Sequence, residues 1–325
     1  MQKLLLALIL GSHFLTHQAA IAQVATYPNH QIKIISPFAI GGIADGFSRI
    51  IAQGLSEAYG QPVIVENKTG GGGNIGADFV AKSPADGYTL IMGSIGTHAV
   101  NPYLVKSMPY DPFKDFVPVA FVLDAEGLLA VNPSVPVKNV SELISYIKAN
   151  PGKVSYGSGG IGTASHLAGE LFVLTAKVDM THIPYKGNAL AITDLIGGQV
   201  NMFTADFAVT LPQVQAGKIR GLAVTSLKRS PAIPELPTVN EALGIKGYEL
   251  IAFFAAFGPA GMPKDAVMKL NKAINDAAKS KDLVERFSAM GFESQPGTPE
   301  ALGQKIKLET AKWAKAIKEA GMEPE

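Results

Sequence analysis

Two glycine-rich junctions contain the residues of this sequence that are best suited to bind an anion, residues 38–45 (FAIGGIAD) and residues 156–166 (YGSGGIGTASH). Each junction follows a strand-like apolar run and precedes a helix-like pattern. The two glycines of the first junction would let the main chain approach a ligand closely. A helix that begins there presents amide groups without partners and the positive end of its dipole, an arrangement that binds anions. Two such junctions that face each other are expected to hold one small anion.

Side chains that could complete such a site follow the predicted strands at their carboxyl ends, where open α/β sheets bind ligands. Hydroxyl groups of serine and threonine come directly after two of these strands, and an aspartate ends a third. No catalytic residue, metal ligand or cofactor is predicted. The candidate ligand-binding residues are Phe38, Ile40, Gly41, Gly42, Ile43, Ala44, Asp45, Ser94, Thr97, Ser158, Gly159, Gly162, Thr163, His166 and Asp206.

The charged candidates also have structural interpretations. Asp45 stands four residues before Arg49, a spacing at which an ion pair forms along one face of a helix. His166 lies beside a helix start and could make a purely structural hydrogen bond there. Asp206 could be a structural cap. Both interpretations of each residue stay open at this point.

Several other kinds of site are disfavoured. The first junction reads G-G-x-x-x-G rather than the G-x-G-x-x-G of a dinucleotide site. Neither junction is followed by the Gly-Lys-Ser/Thr of a phosphate-binding loop. The chain has no cysteine, and its histidines after residue 22 include no closely spaced pair, so a metal site is not expected.

An enzyme would need an activated nucleophile or an acid/base pair. Serine, histidine and aspartate occur near both junctions, but no G-x-S-x-G elbow is present and no spacing singles out a triad. Backbone amides with scattered hydroxyl groups bind anions without chemistry, so the pattern favours a receptor. A hydrolase that uses Ser165 or Ser158 with His166 is the alternative.

Composition and the N-terminus indicate an exported globular protein. Of 325 residues, 47% are apolar and 17% are charged, and the net charge of +1 provides no strong field to attract nucleic acid. Residues 1–22 have the basic start, short apolar run and A-x-A end of a secretory signal peptide, with cleavage after Ala22. No cysteine is present to carry a lipid anchor. A soluble periplasmic monomer is expected.

Alternating strand and helix patterns would position the candidates. In the first third, this βαβαβ order favours a parallel sheet, with strands over residues 32–36, 63–66 and 89–93 and helices over 45–59 and 75–82. The second third starts after the run over residues 117–123 and repeats the scheme, with strands over 128–132, 154–156, 179–183, 202–205 and 221–225 and helices over 140–150, 165–176 and 189–196.

The last third is predicted to return to the first domain. Residues 230–247 contain several prolines and read as an irregular connection, followed by a strand over 250–258. Helices over 264–280, 281–290 and 298–320 would pack onto the first domain, with Trp313 as a packing residue. The expected domains are therefore 23–123 plus 250–325, and 124–249, with the ligand cleft between them.

The sequence resembles the TctC/Bug-type solute-binding proteins of tripartite tricarboxylate transport systems over nearly all of the mature chain. The resemblance rests on seven motifs in a characteristic order: FAIGGIAD at 38–45, VENK at 65–68, PADGYTL at 84–90, YGSG at 156–159, HLAGE at 166–170, PYKG at 184–187 and PT at 237–238.

The resemblance implies an α/β fold like that of periplasmic binding proteins, a two-domain clamshell or Venus flytrap in which each domain is a βα sheet with helices on both faces. It also implies that loops 38–45 and 158–166 hold a ligand carboxylate, and that the partners are a small organic carboxylate and membrane transporter subunits. A co-receptor for a sensor kinase is an alternative. Ile40 replaces the proline usual in the first loop, and Phe253 replaces a common tryptophan.

The sequence leaves the ligand itself open. Asp45 and Asp206 would suit an amino acid, whereas the side chains of Phe38, Phe203 and Phe207 would suit an aromatic carboxylate. A dicarboxylate or tricarboxylate is equally compatible with the family resemblance.

Overall fold

The structure, a computed structural model, describes residues 27–246, 248–289, 292–294, 296–319 and 324. The predicted signal peptide and its cleavage after Ala22 lie outside the described residues and stay predictions. Within the described ranges, no helix combines the length and the apolar character that crossing a bilayer requires.

Strands and helices alternate along the chain, as the sequence predicts. The strands of the described residues are β1 (Ile32–Ser36), β2 (Val63–Asn67), β3 (Thr89–Ser94), β4 (Phe116–Val131), β5 (Ser155–Ser158), β6 (Thr181–Pro184), β7 (Met202–Asp206), β8 (Arg220–Val224), β9 (Ile251–Pro259) and β10 (Phe292–Ser294).

The helices of the described residues are α1 (Ile43–Tyr59), α2 (Asn74–Ala81), α3 (Asn101–Leu104), α4 (Val140–Ala149), α5 (Ala164–Ala176), α6 (Asn188–Ile196), α7 (Phe207–Gln215), α8 (Val239–Leu243), α9 (Lys264–Ala278), α10 (Lys281–Ala289) and α11 (Pro299–Glu319). A 3₁₀ turn, Gly71–Gly73, precedes α2, and a π-helical turn, Gly96–Val100, precedes α3.

The strands form two sheets that share β4. In the first lobe the order is β2-β1-β3-β9-β4, with β10 also on β4. Strands β1, β2 and β3 are parallel, whereas β9 runs antiparallel to both β3 and β4. In the second lobe the last part of β4 pairs with β7 and β8, and β5 lies in parallel between β7 and β6. This is the two-lobed α/β architecture that the sequence predicts.

The second lobe shows why its sheet is covered on both faces. Successive residues of a strand point to opposite faces. Leu129 and Val131 of β4 belong to one buried cluster with Tyr156, while Leu128 and Ala130 belong to another with Phe203. Because both faces of β4 are apolar here, helices must cover both.

Strand β4 differs from the prediction of two strands, over 117–123 and 128–132. The charged residues Asp124 and Glu126, which lie between the two predicted strands, continue the pairing with β9, opposite Phe253 and Ile251. Lys305 of α11 forms a salt bridge with Asp124, with an Nζ–Oδ1 distance of 3.0 Å. The charge of Asp124 is therefore paired inside one continuous strand, and the predicted domain boundary after residue 123 falls within that strand. The domain boundaries stay predictions.

Three short elements and one longer helix were missed. The predicted irregular connection 230–247 contains α8, which begins with a capping box between Thr238 and Glu241. Helix α7 was missed because Pro212 inside it is normally a helix breaker. Strand β10 and helix α3 are too short for a periodic pattern to show.

The C-terminal helices pack onto the first lobe, as predicted. Leu270 of α9 and Ile306 and Trp313 of α11 belong to the same buried cluster as Ile34 of β1 and Phe47 of α1. Trp313 is 3% exposed, and its Nε1 donates to Glu309 Oε2 at 3.2 Å. Trp313 therefore lies in the core, as its helical spacing indicates.

Candidate ligand-binding site

A cavity lies between the two lobes, at the carboxyl ends of β1, β3, β5 and β7. We call it the interlobe cavity. Its water-accessible volume is about 60 Å³, enough for roughly four to six waters at 10–15 Å³ each. The predicted residues that line it are Phe38, Gly42, Ile43, Ala44, Ser94, Gly159, Thr163 and Asp206.

The first lobe contributes the N-terminus of α1. Gly42 is the extended N-cap residue, and the first helical hydrogen bond runs from Gly46 N to Gly42 O at 3.0 Å. The amides of Ile43 and Ala44 precede that bond and therefore have no acceptor within the helix. Both residues line the interlobe cavity. The residues that the sequence predicts to form a backbone anion site therefore line the cavity on this side, and their binding of an anion stays a prediction.

Asp45 stabilises the loop before α1 through hydrogen bonds of its side chain. Its Oδ1 accepts hydrogen bonds from Arg49 Nη2 at 2.8 Å and Asn67 Nδ2 at 2.9 Å, and its Oδ2 accepts one from Gly41 N at 3.1 Å. Burial alone would raise the pKa of Asp45, but the hydrogen bonds from Arg49, Gly41 and Asn67 lower it overall. The carboxylate is buried among these partners, and Asp45 does not line the interlobe cavity. The structural ion pair with Arg49 is therefore present.

The second lobe contributes the N-terminus of α5. Thr163 caps this helix, and its Oγ1 accepts from His166 N at 3.4 Å. Ser165 Oγ accepts from Gly159 N at 2.9 Å and donates to Asn188 Oδ1 at 2.8 Å. Ala164 and Ser165 line the interlobe cavity, so the start of a second helix, whose first amides have no acceptor within the helix, borders the same space.

His166 belongs to a stack of aromatic rings next to this loop, and Ser158 contacts the same stack. Ser158 Oγ is 2.6 Å from His182 Nε2, and the ring of His182 stacks between those of Tyr156 and His166, with centroid distances of 4.8 Å and 4.3 Å. Burial lowers the pKa of His182 to about 4; burial, together with the neighbouring His182, lowers that of His166 to about 3. Both imidazoles are therefore neutral at neutral pH.

This stack bears on the hydrolase alternative. The serine–histidine contact involves His182, which the sequence did not single out, rather than His166. Ser158 is 0% exposed, and neither it nor either histidine is among the residues that line the interlobe cavity. A substrate in that cavity would not meet the pair. Ser165, the other serine considered, bonds Asn188 and Gly159 instead of a histidine in the described structure.

Asp206 ends β7 and faces the interlobe cavity from the second lobe. Its Oδ2 accepts from Asn188 Nδ2 at 3.0 Å, and its Oδ1 accepts from Val209 N at 3.4 Å, which caps α7. Burial raises the pKa of Asp206 to about 6, although the hydrogen bonds from Asn188 and Val209 act in the opposite direction. The predicted capping role is present together with a position in the cavity wall.

The remaining predicted residues lie away from the interlobe cavity. Ile40 is 71% exposed at the tip of the first loop. Thr97 is buried, where its Oγ1 accepts from Ser94 N at 2.9 Å. Gly162 packs against Asn101, whose amide nitrogen, turned toward the loop, donates to Gly162 O at 3.0 Å. Gly41 is in the left-handed region, with φ 81°, and turns the chain into α1.

Several cavity residues were missed by the sequence prediction. Asn188 and Gly187 begin α6 directly after β6, so the rule that ligands bind at strand ends could have found them. Thr204, Thr225 and Gly127 carry no local signal, because β4, β7 and β8 come together only in the folded sheet. Among the described residues, no group of three or more histidine, aspartate or glutamate side chains could hold a metal ion.

Comparison with known proteins places this chain in a family. Residues 47–322 match the family model TctC, the tripartite tricarboxylate transporter family receptor. The chain is similar to the solved structure of R. palustris Rpa4515 with adipate, with 39% identity, a TM-score of 0.89, and coverage of 92% of this chain and 100% of that one.

Two further structures are similar over a comparable length. The periplasmic binding protein BugD shows 37% identity and a TM-score of 0.88, with coverage of 92% of this chain and 100% of that one. MatC (Rpa3494) from Rhodopseudomonas palustris with bound malate shows 32% identity and a TM-score of 0.86, with coverage of 90% and 100%. The fold is therefore that of periplasmic binding proteins, and the chain belongs to the TctC family of tripartite tricarboxylate transporter receptors.

Proposed function

We propose that this protein is a periplasmic receptor that closes on a small organic carboxylate and delivers it to the membrane subunits of a tripartite tricarboxylate-type transporter. One observation carries the proposal: the N-termini of α1 and α5, which belong to different lobes, line the same cavity. A carboxylate between them would accept hydrogen bonds from both lobes and hold the lobes together.

The composition of the cavity wall supports backbone binding of the anion. None of the described residues that line the interlobe cavity is a lysine or an arginine. The positive potential must therefore come from helix starts, each worth on the order of 0.3–1 kcal/mol and up to about 2 when partly buried. Micromolar affinity requires about 8 kcal/mol, so several amides, hydroxyl groups and lobe closure must contribute together.

Similar proteins support the class of ligand. Rpa4515 was solved with adipate and MatC with malate, and both ligands are small carboxylates. Binding without turnover fits the burial of Ser158 and His182 outside the cavity. The proposed role is therefore that of a receptor and not of a hydrolase.

Calorimetric titration tests the binding half of the proposal. The purified mature protein is titrated with dicarboxylates, tricarboxylates, amino acids and aromatic acids, and with the uncharged amide of each acid as a matched control. At least one acid should bind and its amide should not, and the bound acid should raise the melting temperature, because a ligand that binds only the folded state stabilises it. Binding of none of the acids would contradict the proposal.

Reconstituted uptake tests the delivery half. Vesicles that contain the membrane subunits of a tripartite tricarboxylate-type transporter should take up the labelled acid only when this protein is added. Uptake that does not depend on the protein, together with capture of a sensor kinase by the closed form, would instead support the sensing alternative.

A further inference from the structure

The wall of the interlobe cavity contains a carboxylate that an anion receptor does not need. Asp206 lies in this wall, half-buried, while no lysine or arginine is present among the described lining residues. An ionised carboxylate beside a bound anion is unfavourable because like charges repel at short range. Asp206 therefore requires either a proton or a partner that the protein itself does not provide.

The hydrogen bonds of Asp206 leave room for such a partner. Each carboxylate oxygen accepts one bond, from Asn188 Nδ2 at 3.0 Å and from Val209 N at 3.4 Å. An ionised carboxylate has about four acceptor positions, so about two remain for a ligand. Asn188 also accepts from Ser165 Oγ at the start of α5, which links Asp206 to the proposed carboxylate site.

A neighbouring hydroxyl group is also without a partner. Thr204 lies two residues before Asp206 on β7, so the two side chains share a face of the sheet. Within the described structure, Thr204 Oγ1 is buried and makes no hydrogen bond, although Thr204 lines the interlobe cavity. Because buried polar groups are normally paired, this hydroxyl and Asp206 together indicate a polar group of the ligand at this position.

The charges around the cavity also favour a ligand that carries a donor group. The starts of α1, α5, α6 and α7 all contribute residues to its wall. Each helix start is equivalent to about +0.5 of an elementary charge, or about +2 for the four, and an ionised Asp206 brings the balance to about +1. A dicarboxylate that also carries an ammonium group, with net charge −1, fits this balance better than a dicarboxylate without one, with charge −2.

We infer that the ligand carries, besides its carboxylate, a hydrogen-bond-donating group that Asp206 accepts, so that the receptor selects amino or hydroxy acids over unsubstituted carboxylates. The inference rests on the proposed function, since it concerns the same cavity. In this arrangement the helix starts of α1 and α5 hold the carboxylate, and Asp206 with Thr204 binds an ammonium or hydroxyl group.

Matched ligands test this inference by calorimetry. Succinate, malate and aspartate share four carbons and differ only in hydrogen, hydroxyl or ammonium at one carbon, and adipate and 2-aminoadipate form a longer pair. In at least one set, a donor-bearing acid should bind about ten-fold or more tightly than the unsubstituted one, a difference of about 1.4 kcal/mol. Comparison of malate with aspartate identifies the donor as hydroxyl or ammonium.

Variants then assign the selectivity to Asp206. Asp206→Asn keeps a residue that caps helices well, and Asp206→Ser is a second capping variant if the first does not fold. Either should reduce the preference to below about three-fold, which is less than about 1 kcal/mol. Asp194→Asn is the matched control, because Asp194 is a second-lobe carboxylate that bonds Tyr185 and does not line the cavity.

The outcomes separate this inference from the proposed function. If unsubstituted acids bind as tightly as their donor-bearing partners, or if the preference persists in Asp206→Asn, the inference is wrong while the receptor function stands. If no acid of these sets and none of the wider panel of dicarboxylates, tricarboxylates, amino acids and aromatic acids binds the wild-type protein, the proposed function itself fails, and the inference fails with it.

Discussion

Gly72 of the first lobe lies directly against the carbonyl oxygen of Ile161 in the second lobe. A Cβ atom at Gly72 would be 2.1 Å from that oxygen, which is closer than real Cβ atoms approach. Gly96, which begins the π-helical turn before α3, makes a similar contact, since a Cβ there would be 2.4 Å from the carbonyl oxygen of Gly162. These glycines allow the two lobes to approach each other around the interlobe cavity.

We expect Gly72→Ala to weaken ligand binding by about ten-fold or more, equivalent to about 1.4 kcal/mol, because the added methyl group prevents this approach. Gly60→Ala is the matched control. Both glycines have φ of 63°, but a Cβ at Gly60 meets nothing within 4 Å. The two variants should therefore lose similar stability in the absence of ligand, while only Gly72→Ala loses affinity in a calorimetric titration. Equal affinities of both variants would show that the contact does not limit closure.

We expect Asp45→Ala to lower both stability and affinity, although Asp45 does not line the cavity. The substitution removes the acceptor of Gly41 N and one of the two acceptors of Asn67 Nδ2, which also donates to Phe38 O. The lost hydrogen bonds should cost about 1–3 kcal/mol in the free energy of unfolding. Arg49→Ala should cost less, about 0–1 kcal/mol, because the Arg49 side chain is half exposed. Urea denaturation and titration measure both effects, and wild-type affinity in Asp45→Ala would exclude a role for Asp45 in shaping the loop.

Trp313→Phe should lower the melting temperature and leave ligand affinity unchanged. Trp313 is buried in the cluster of the first lobe and donates to Glu309, away from the interlobe cavity. A core substitution of this size costs about 0.5–3 kcal/mol. An affinity that falls along with the melting temperature would show that packing beneath α11 controls the cavity.

The parts of the site made by a single loop could be predicted from the sequence. Gly42, Ile43 and Ala44 line the cavity at a helix start because a strand, a glycine turn and a helix follow one another in the chain, and this order is visible locally. Asp206 could be predicted from the strand alone, because it ends β7 and ligands of open α/β sheets bind at strand ends. The alternative interpretation of Asp45, an ion pair with Arg49, was also visible from its spacing.

The parts made by the assembled sheets could not be predicted. Thr204 and Thr225 reach the cavity because β7 and β8 both pair with β4, and no spacing in the chain encodes that proximity. Asp124, inside β4, is paired with Lys305, 181 positions later. Likewise, Ser158 contacts His182 rather than His166, which is nearer in the sequence. The parallel pairing of β5 with β6 brings His182 beside β5.

We expect Thr204→Val to weaken ligand binding without destabilising the unliganded protein. The Thr204 hydroxyl is buried and without a partner in the described structure, so its removal relieves an unpaired polar group that costs about 1–3 kcal/mol. Thr210→Val is the matched control, because its buried hydroxyl donates to Asp206 O at 2.8 Å and its removal should destabilise the protein. Thermal unfolding with and without ligand distinguishes them, and unchanged affinity in Thr204→Val would assign this hydroxyl no part in binding.

The neutral histidine stack should make the protein sensitive to acid. The pKa of His182 is lowered from 6.5 to about 4 by burial, and that of His166 from 6.5 to about 3 by burial and the neighbouring His182. Below pH 6.5 the unfolded chain therefore binds protons that the folded protein does not, so stability is complete above pH 6.5 and falls as the pH drops toward 4. Each histidine contributes up to about 1.4 kcal/mol per pH unit.

His182→Phe tests this acid sensitivity, because phenylalanine can still stack between Tyr156 and His166 but cannot bind a proton. The variant loses the contact with Ser158, so it should be less stable than the wild type at pH 7.5. Its free energy of unfolding should nevertheless fall less steeply between pH 6.5 and pH 5, by up to about 1.4 kcal/mol per pH unit. Urea denaturation at several pH values gives both slopes. Parallel slopes for the two proteins would mean that the acid sensitivity arises elsewhere in the fold.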